Sequence, residues 1–339
     1  MILIDALYVN NGGAKILLDY LVIEIEKTTI EVFYLFDERC KESFQDISKY
    51  KKIYLKASLF ERYKFYKKID SRFKKVLCLG NLPPNIKLKA EVYTYFHQKL
   101  FLEIPKGIPF KQKIILKIKV FLFRMLQQNT DFWIVQTEVM KDQFLVKTSK
   151  FDRQKVFVIP FYPLVEKGTI ENRKKDVFVY ISSGSKHKNH INLLEAFRKF
   201  YNDNKVGELH LTISNEFKEL NNLITKMIIE GYPVINHGFV PRDLLGAIYG
   251  KAAFSIYPSL SESFGLGIIE AIENQCDIIG SDLPYTYAVC KPSLVFDPIN
   301  IESIKGAFQL AIENETTHTE QLVYNEIDVL INLLQEIEK

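Results

Sequence analysis

Short apolar runs recur along this 339-residue chain with room for one helix between most neighbours, and the alternation is played through twice. In the first half the runs fall at residues 2–7, 32–36, 53–55, 76–79, 92–96, 133–135 and 156–159. They are rich in Val, Ile, Tyr and Phe, the composition of strands covered on both faces. Helical spacing separates several of them, as at 14–27 and 137–148. In the second half, strands are expected at 177–182, 209–213, 234–236, 253–257, 277–280 and 294–296. Helices are expected there at 190–201, 217–230, 243–250, 266–274 and 301–314. Strands alternating with helices imply parallel sheets covered on both faces. The predicted fold class is therefore α/β, with two doubly wound bodies in tandem. The polar, Pro-punctuated stretch 160–174 reads as the join, giving a first domain over 1–165 and a second over 166–320. Leu322, Ile327, Leu330, Leu333, Leu334 and Ile337 lie at helical spacing, so 321–339 reads as an amphipathic helix packed on one body or the other. Ligands of such sheets bind outside the carboxyl ends of the strands, and the cleft between two bodies is the expected site.

Composition narrows the class. With 47% apolar and 25% charged residues the chain is globular rather than disordered. Its apolar runs are short and broken by Lys, so no bilayer-spanning segment is expected. The opening MILIDALYV lacks a basic leader and reads as a first strand, not a signal peptide. Cys40, Cys78, Cys276 and Cys290 are far apart with no CxxC, which supports neither a disulfide framework nor a zinc site and suits a reducing, cytoplasmic setting. Residues 1–165 carry 29 Lys+Arg against 17 Asp+Glu, whereas residues 166–339 carry 16 against 24. The basic half suits nucleic acid, anionic lipid or an acidic substrate. In KQKIILKIKVFLFR, Lys111, Lys113, Lys117 and Lys119 surround an apolar helical stripe. That pattern fits a core-packed helix with a solvated basic face, and equally a helix lying on an anionic membrane. No nucleic-acid-binding motif accompanies the charge, so that reading rests on charge alone.

Four segments carry residues suited to chemistry. The most informative is YPSLSESFGLGIIEAIEN, residues 257–274, in which a strand runs into a polar loop and then a helix. Ser263, Phe264, Gly265 and Leu266 fall at or before the helix start, where free amides and the positive end of the helix dipole suit a phosphate. Glu262 lies on the loop and Glu270 one turn inside the helix, where a carboxylate can accept two ribose hydroxyls. On residue types alone, the same acids also serve as a helix cap and a solvated face. SSGSKHKN, residues 182–189, places Lys188 beside a helix start as a point charge for phosphate, or as part of a solvated basic turn. NNGGAK, residues 10–15, opens the first helix with two glycines; it is not GxGxxG, and it reads as a ligand loop or a tight turn. His97 stands at the end of a strand, either structural or facing a site.

The segment at 257–274 resembles the E-x7-E motif of the retaining glycosyltransferases of GT-B fold, glycosyltransferase family 4, and the likeness extends over residues 237–284. The resemblance implies two tandem Rossmann-like domains facing a central cleft, the donor bound mainly by the second and the acceptor by the first. It implies that Glu262 lies beside the donor sugar, that Glu270 holds the nucleotide ribose, and that the loop from Ser263 through Phe264 and Gly265 to Leu266 meets the diphosphate or sugar hydroxyls. Lys188 matches the family's phosphate-binding Lys. The family's Arg position is occupied by Ser183, with His187 where a second basic residue is common, so the diphosphate must be met by Lys188, Ser183 and the loop amides. Gly13 matches a glycine lying across from the donor, His97 matches a histidine facing the donor sugar, and Phe239 lies in the loop expected to shape the base site. Glu262 and His97 are the implied catalytic residues. The loop at 80–84, GNLPP, is expected to shape the acceptor side.

The activity implied is transfer of a hexose from a nucleotide-diphosphate sugar, with UDP and GDP both open. The expected acceptor is a saccharide, lipid-linked, in bacterial O-antigen, lipopolysaccharide or capsule assembly. Attachment would be peripheral, at the inner face of the cytoplasmic membrane. The chain has no DxD, so no metal or other cofactor is expected. The competing reading is a non-transferase on the same architecture, a sugar-nucleotide epimerase or an inactive sugar-nucleotide-binding partner.

Overall fold

The computed structural model describes residues 1–69, 72–102, 110–148, 151–168, 173–313 and 316–336. The chain divides into two compact units, Met1–Pro163 with Tyr324–Lys339, and Leu164–Val323.

The first unit runs β1 (Ile2–Ala6), α1 (Gly12–Glu26), β2 (Val32–Asp37), β3 (Lys52–Leu55), α2 (Leu59–Ile69), β4 (Lys75–Cys78), β5 (Glu91–Tyr95), α3 (Phe110–Leu126), β6 (Phe132–Val135), α4 (Glu138–Lys147) and β7 (Val156–Val158). All seven strands are parallel, in the order β3-β2-β1-β4-β5-β6-β7. The order reverses between β1 and β4, so the loops after these two strands open the crevice of the sheet. Leu17, Leu18, Leu21, Val22 and Ile25 form the buried face of α1, which is why this stretch is helical despite lacking a side-chain cap. Phe96, Phe123, Trp133 and Phe144 make an aromatic core on the other side of the sheet.

Inside this unit lies a buried ion pair. Arg62 on α2 and Asp5 on β1 are both essentially without solvent contact. The Arg62 Nε donates to Asp5 Oδ2 at 2.7 Å, its Nη1 to the Pro83 carbonyl at 2.7 Å and its Nη2 to the Leu82 carbonyl at 3.0 Å. The Tyr66 hydroxyl donates to the same carboxylate oxygen, and the Leu7 amide donates to Oδ1 at 3.0 Å. One guanidinium therefore ties β1, α2 and the loop after β4 together.

The second unit runs β8 (Lys174–Tyr180), α5 (His190–Asn204), β9 (Glu208–Leu211), α6 (Lys218–Ile229), β10 (Val234–Asn236), α7 (Leu245–Tyr249), β11 (Ala252–Tyr257), α8 (Leu266–Glu273), β12 (Asp277–Ser281), α9 (Pro284–Tyr287), β13 (Cys290–Lys291), β14 (Leu294–Phe296), α10 (Ile301–Glu313) and β15 (Glu320–Gln321). Its main sheet is parallel, in the order β10-β9-β8-β11-β12-β14. Here the order reverses between β8 and β11, which brings together the loops that follow them. All four cysteines are buried and free. Among the described residues no helix is long and apolar enough to cross a membrane.

The C-terminal segment differs from expectation. The helix expected over 321–339 is α11 (Ile327–Gln335) only, and Ile337 lies outside the described residues. Gln321 instead pairs with Cys290 in an antiparallel ribbon, and the Leu322 amide donates to the Val289 carbonyl at 2.9 Å. These backbone partners are lost if the helix starts earlier. The chain then returns to the first unit. Ile327, Leu330, Ile331 and Leu334 are buried, and Lys75 Nζ donates to the Leu333 carbonyl at 2.7 Å.

Removing one member of a buried ion pair leaves the other charge uncompensated. Arg62→Ala should therefore destabilise the first unit by about 3–5 kcal/mol, read as a lower denaturant midpoint.

Candidate active site

At the reversal point of the second sheet, the loop between β11 and α8 meets the turn between β8 and α5. The Leu260 amide donates to the His187 carbonyl at 2.8 Å, and Asn189 Nδ2 donates to the Pro258 carbonyl at 3.1 Å. Asn189 adopts φ 61°, a left-handed conformation that asparagine tolerates. The Tyr180 hydroxyl lies 2.8 Å from Ser259 Oγ and donates to the Lys188 carbonyl at 3.0 Å. His190 Nε2 sits 3.0 Å from both Ser182 Oγ and the Ser183 carbonyl, and burial holds this ring neutral, with its pKa pushed down to about 4. Each loop is held by backbone and buried side chains, so the charged groups they carry are placed by rigid supports.

Those groups form a compensated pair. Glu262 Oε1 accepts from Lys188 Nζ at 2.6 Å and from Ser259 Oγ at 2.6 Å. Both charged side chains are largely, but not fully, withdrawn from solvent. Gly265 caps α8 at φ +80°, a conformation strained for any residue with a Cβ. The Ile268 and Ile269 amides donate to the Gly265 carbonyl at 2.9 and 3.3 Å, and the Leu266 and Gly267 amides before them lie beside this ion pair in sequence. Phe264 is buried, so its side chain serves the core while its backbone serves the loop. Ser263 and Leu266 are half-buried. Ser183 is exposed, with Oγ 3.0 Å from Ser185 Oγ, and Phe239 is 77% exposed on the loop after β10.

Glu270 points inward from α8 and is buried. Its Oε1 accepts from Arg242 Nη1. Arg242 was not singled out by sequence reasoning. It sits in a short turn before α7, and nothing in VPRDLL announces that it reaches a carboxylate twenty-eight residues on. Burial raises the Glu270 pKa above its ordinary 4.5, opposed by the Arg242 charge and hydrogen bond. A raised acid favours the protonated form in the folded state. The associated stability is present below the unfolded pKa and declines as pH rises through the folded one. Glu270→Gln should flatten this component in unfolding measured from about pH 4 to 7. Arg242→Met should steepen it, because only the burial contribution then remains.

Two expected site residues lie in the first unit. Gly13 is in the first turn of α1, and a Cβ there meets nothing within 4 Å, so packing does not require glycine at this position. His97 follows β5. Its ring is partly covered, its pKa is pushed down to about 4 by burial, and its Nε2 lies 3.0 Å from Asn81 Nδ2. The loop at 80–84 is the one Arg62 holds, and its Gly80 approaches β1 so closely that a Cβ would stand 2.7 Å from the Leu7 carbonyl oxygen. Among the described residues no three His, Cys, Asp or Glu side chains are grouped to hold a metal ion.

Residues 165–328 match the family model described as glycosyl transferases group 1. The fold is GT-B. The chain is similar to the O-antigen chain mannosyltransferase RfbU of Salmonella typhimurium, 25% identical over 207 residues, which are 60% of this chain and 56% of that protein. The match thus spans a little over half the length of that curated relative. Among solved structures it resembles the lipopolysaccharide outer core galactosyltransferase WaaB in its apo form, with TM-score 0.66, 15% identity and coverage of 98% and 94% of the two chains. It also resembles HepE of Anabaena in complex with UDP and glucose, with TM-score 0.67, 14% identity and coverage of 92% and 90%.

Proposed function

We propose that this protein is a retaining glycosyltransferase that moves a hexose from a nucleotide-diphosphate sugar to a saccharide acceptor. The observation that carries the reading is the pairing of Glu262 with Lys188 at the reversal point of the second sheet, one loop away from the amide-bearing start of α8. The names of the relatives, a mannosyltransferase and a galactosyltransferase of lipopolysaccharide assembly, support it, as does the UDP in the HepE complex.

The leaving diphosphate is the difficult charge. The α8 amides and Lys188 meet it, so Lys188 is shared between a phosphate oxygen and Glu262. Glu270, braced by Arg242, accepts the ribose hydroxyls, and the loop carrying Phe239 borders the base. The bond from the sugar C1 to the diphosphate oxygen breaks, and the acceptor oxygen bonds to C1 from the same face. The acceptor proton passes to a phosphate oxygen, and nucleoside diphosphate leaves. Glu262 stabilises positive charge at the sugar ring, and His97 donates to a sugar oxygen. No step calls on a divalent metal.

The acceptor is a lipid-linked saccharide reached at an anionic membrane surface. Ile114, Ile118, Phe121 and Met125 are exposed along one stripe of α3, with exposed Lys113, Lys117 and Arg124 beside it and no acidic residue in the helix. Full-length protein should sediment with phosphatidylglycerol vesicles and not with phosphatidylcholine alone, and Ile118→Glu should reduce binding.

A thermal-shift panel of UDP- and GDP-sugars should identify the donor, followed by a transfer assay with and without chelator. Transfer should persist in chelator. Glu262→Ala should lower kcat more than donor affinity, whereas Glu270→Ala should weaken donor binding by about 1–3 kcal/mol. Donor hydrolysis with no transfer to any saccharide would favour the non-transferase reading.

A further inference from the structure

Asn81 follows β4 in the loop pinned by Arg62, with a left-handed backbone at φ 62° and a buried side chain. Its Oδ1 accepts the His97 backbone N–H at 2.7 Å. A backbone N–H can only donate, so this contact fixes which way round the amide sits. Its Nδ2 then stands 3.0 Å from His97 Nε2. An amide NH2 also only donates, so Nε2 must accept. A neutral imidazole that accepts at Nε2 carries its proton on Nδ1. The Nδ1 atom is buried and has no hydrogen-bond partner among the described residues. Burial pushes the ring's pKa down to about 4, which keeps the imidazole neutral at neutral pH.

We propose that Asn81 is a positioning residue that locks His97 as the Nδ1–H tautomer, leaving that N–H as a donor for an oxygen of the bound sugar. The inference rests on the proposed role of His97 toward the sugar, but the lock itself is a property of the free protein. Asn81 is in turn held through its neighbours, because Leu82 and Pro83 give their carbonyls to Arg62. Arg62 thereby supports, through the loop that carries Asn81, the hydrogen-bonding sense of the ring.

Long-range nitrogen–proton correlation spectra of histidine-labelled protein read the tautomer directly. The His97 signals are identified by their loss in His97→Gln. Wild type at neutral pH should show a protonated Nδ1 and a bare Nε2. Asn81→Asp keeps the size and tolerates the left-handed backbone, but its carboxylate accepts on both oxygens, so the proton should appear on Nε2. Asn81→Gly keeps the backbone conformation and frees the ring, which should then show a mixture. A protonated Nε2 and bare Nδ1 in wild type overturns the proposal, whether or not either variant folds. So does an Asn81→Asp spectrum identical to wild type. In the transfer assay Asn81→Asp should lower kcat about tenfold to a hundredfold, with a smaller change in donor KM. The two ideas separate cleanly: the stated tautomer without any transfer activity leaves the lock standing and removes the sugar role, while transfer activity with the opposite tautomer removes the lock.

Discussion

Parallel strands send all their strand-to-helix turns to one edge of a sheet, and each unit of this chain gathers its polar groups there. The reversal in strand order then opens two neighbouring turns onto a common crevice. In the second unit these are the turns after β8 and β11, which carry Lys188 and Glu262. In the first they are the turns after β1 and β4, of which one leads into α1 at Gly13 and the other carries Asn81. Without the parallel arrangement, none of these groups would share a neighbourhood.

Glu262 and Glu270 of the second unit each have a cationic partner before any ligand arrives. Lys188 answers Glu262, and Arg242 answers Glu270. A partly buried carboxylate is costly unless a cation stands beside it, and Lys188 is that cation for Glu262. The serine at the expected Arg position, Ser183, is exposed and bonded to Ser185, so it adds a polar group and no charge. The cation count near the two acids is restored by Arg242, which comes from a different turn. Supporting hydrogen bonds from Tyr180, Ser259 and Asn189 keep the loops in register and so hold Glu262 against Lys188.

Much of this was legible. Strands such as β2 and β11 announce themselves as unbroken Val, Ile, Phe and Tyr runs, because both faces are covered. The α8 start is signalled by Gly265, whose positive φ the sequence can suggest but not prove. Less legible were the ribbon of β13 and β15, two residues each, whose pairing depends on backbone groups rather than side-chain pattern. The shortness of α11 has the same origin. Arg242 and Asn81 left no periodic or motif signal, since each acts through one contact with a residue distant in sequence.

By itself the sequence determined the class of fold and the two-unit organisation, and it singled out residues 257–274, since these follow from local hydrophobic period and from residues adjacent along the chain. Only the tertiary structure decided which charges meet. It brought Lys188 to Glu262 and Arg242 to Glu270, buried Arg62 against Asp5, and laid Asn81 on the ring of His97. Ion pairs and hydrogen bonds are satisfied at about three ångströms in space, a distance that separation along the chain does not encode.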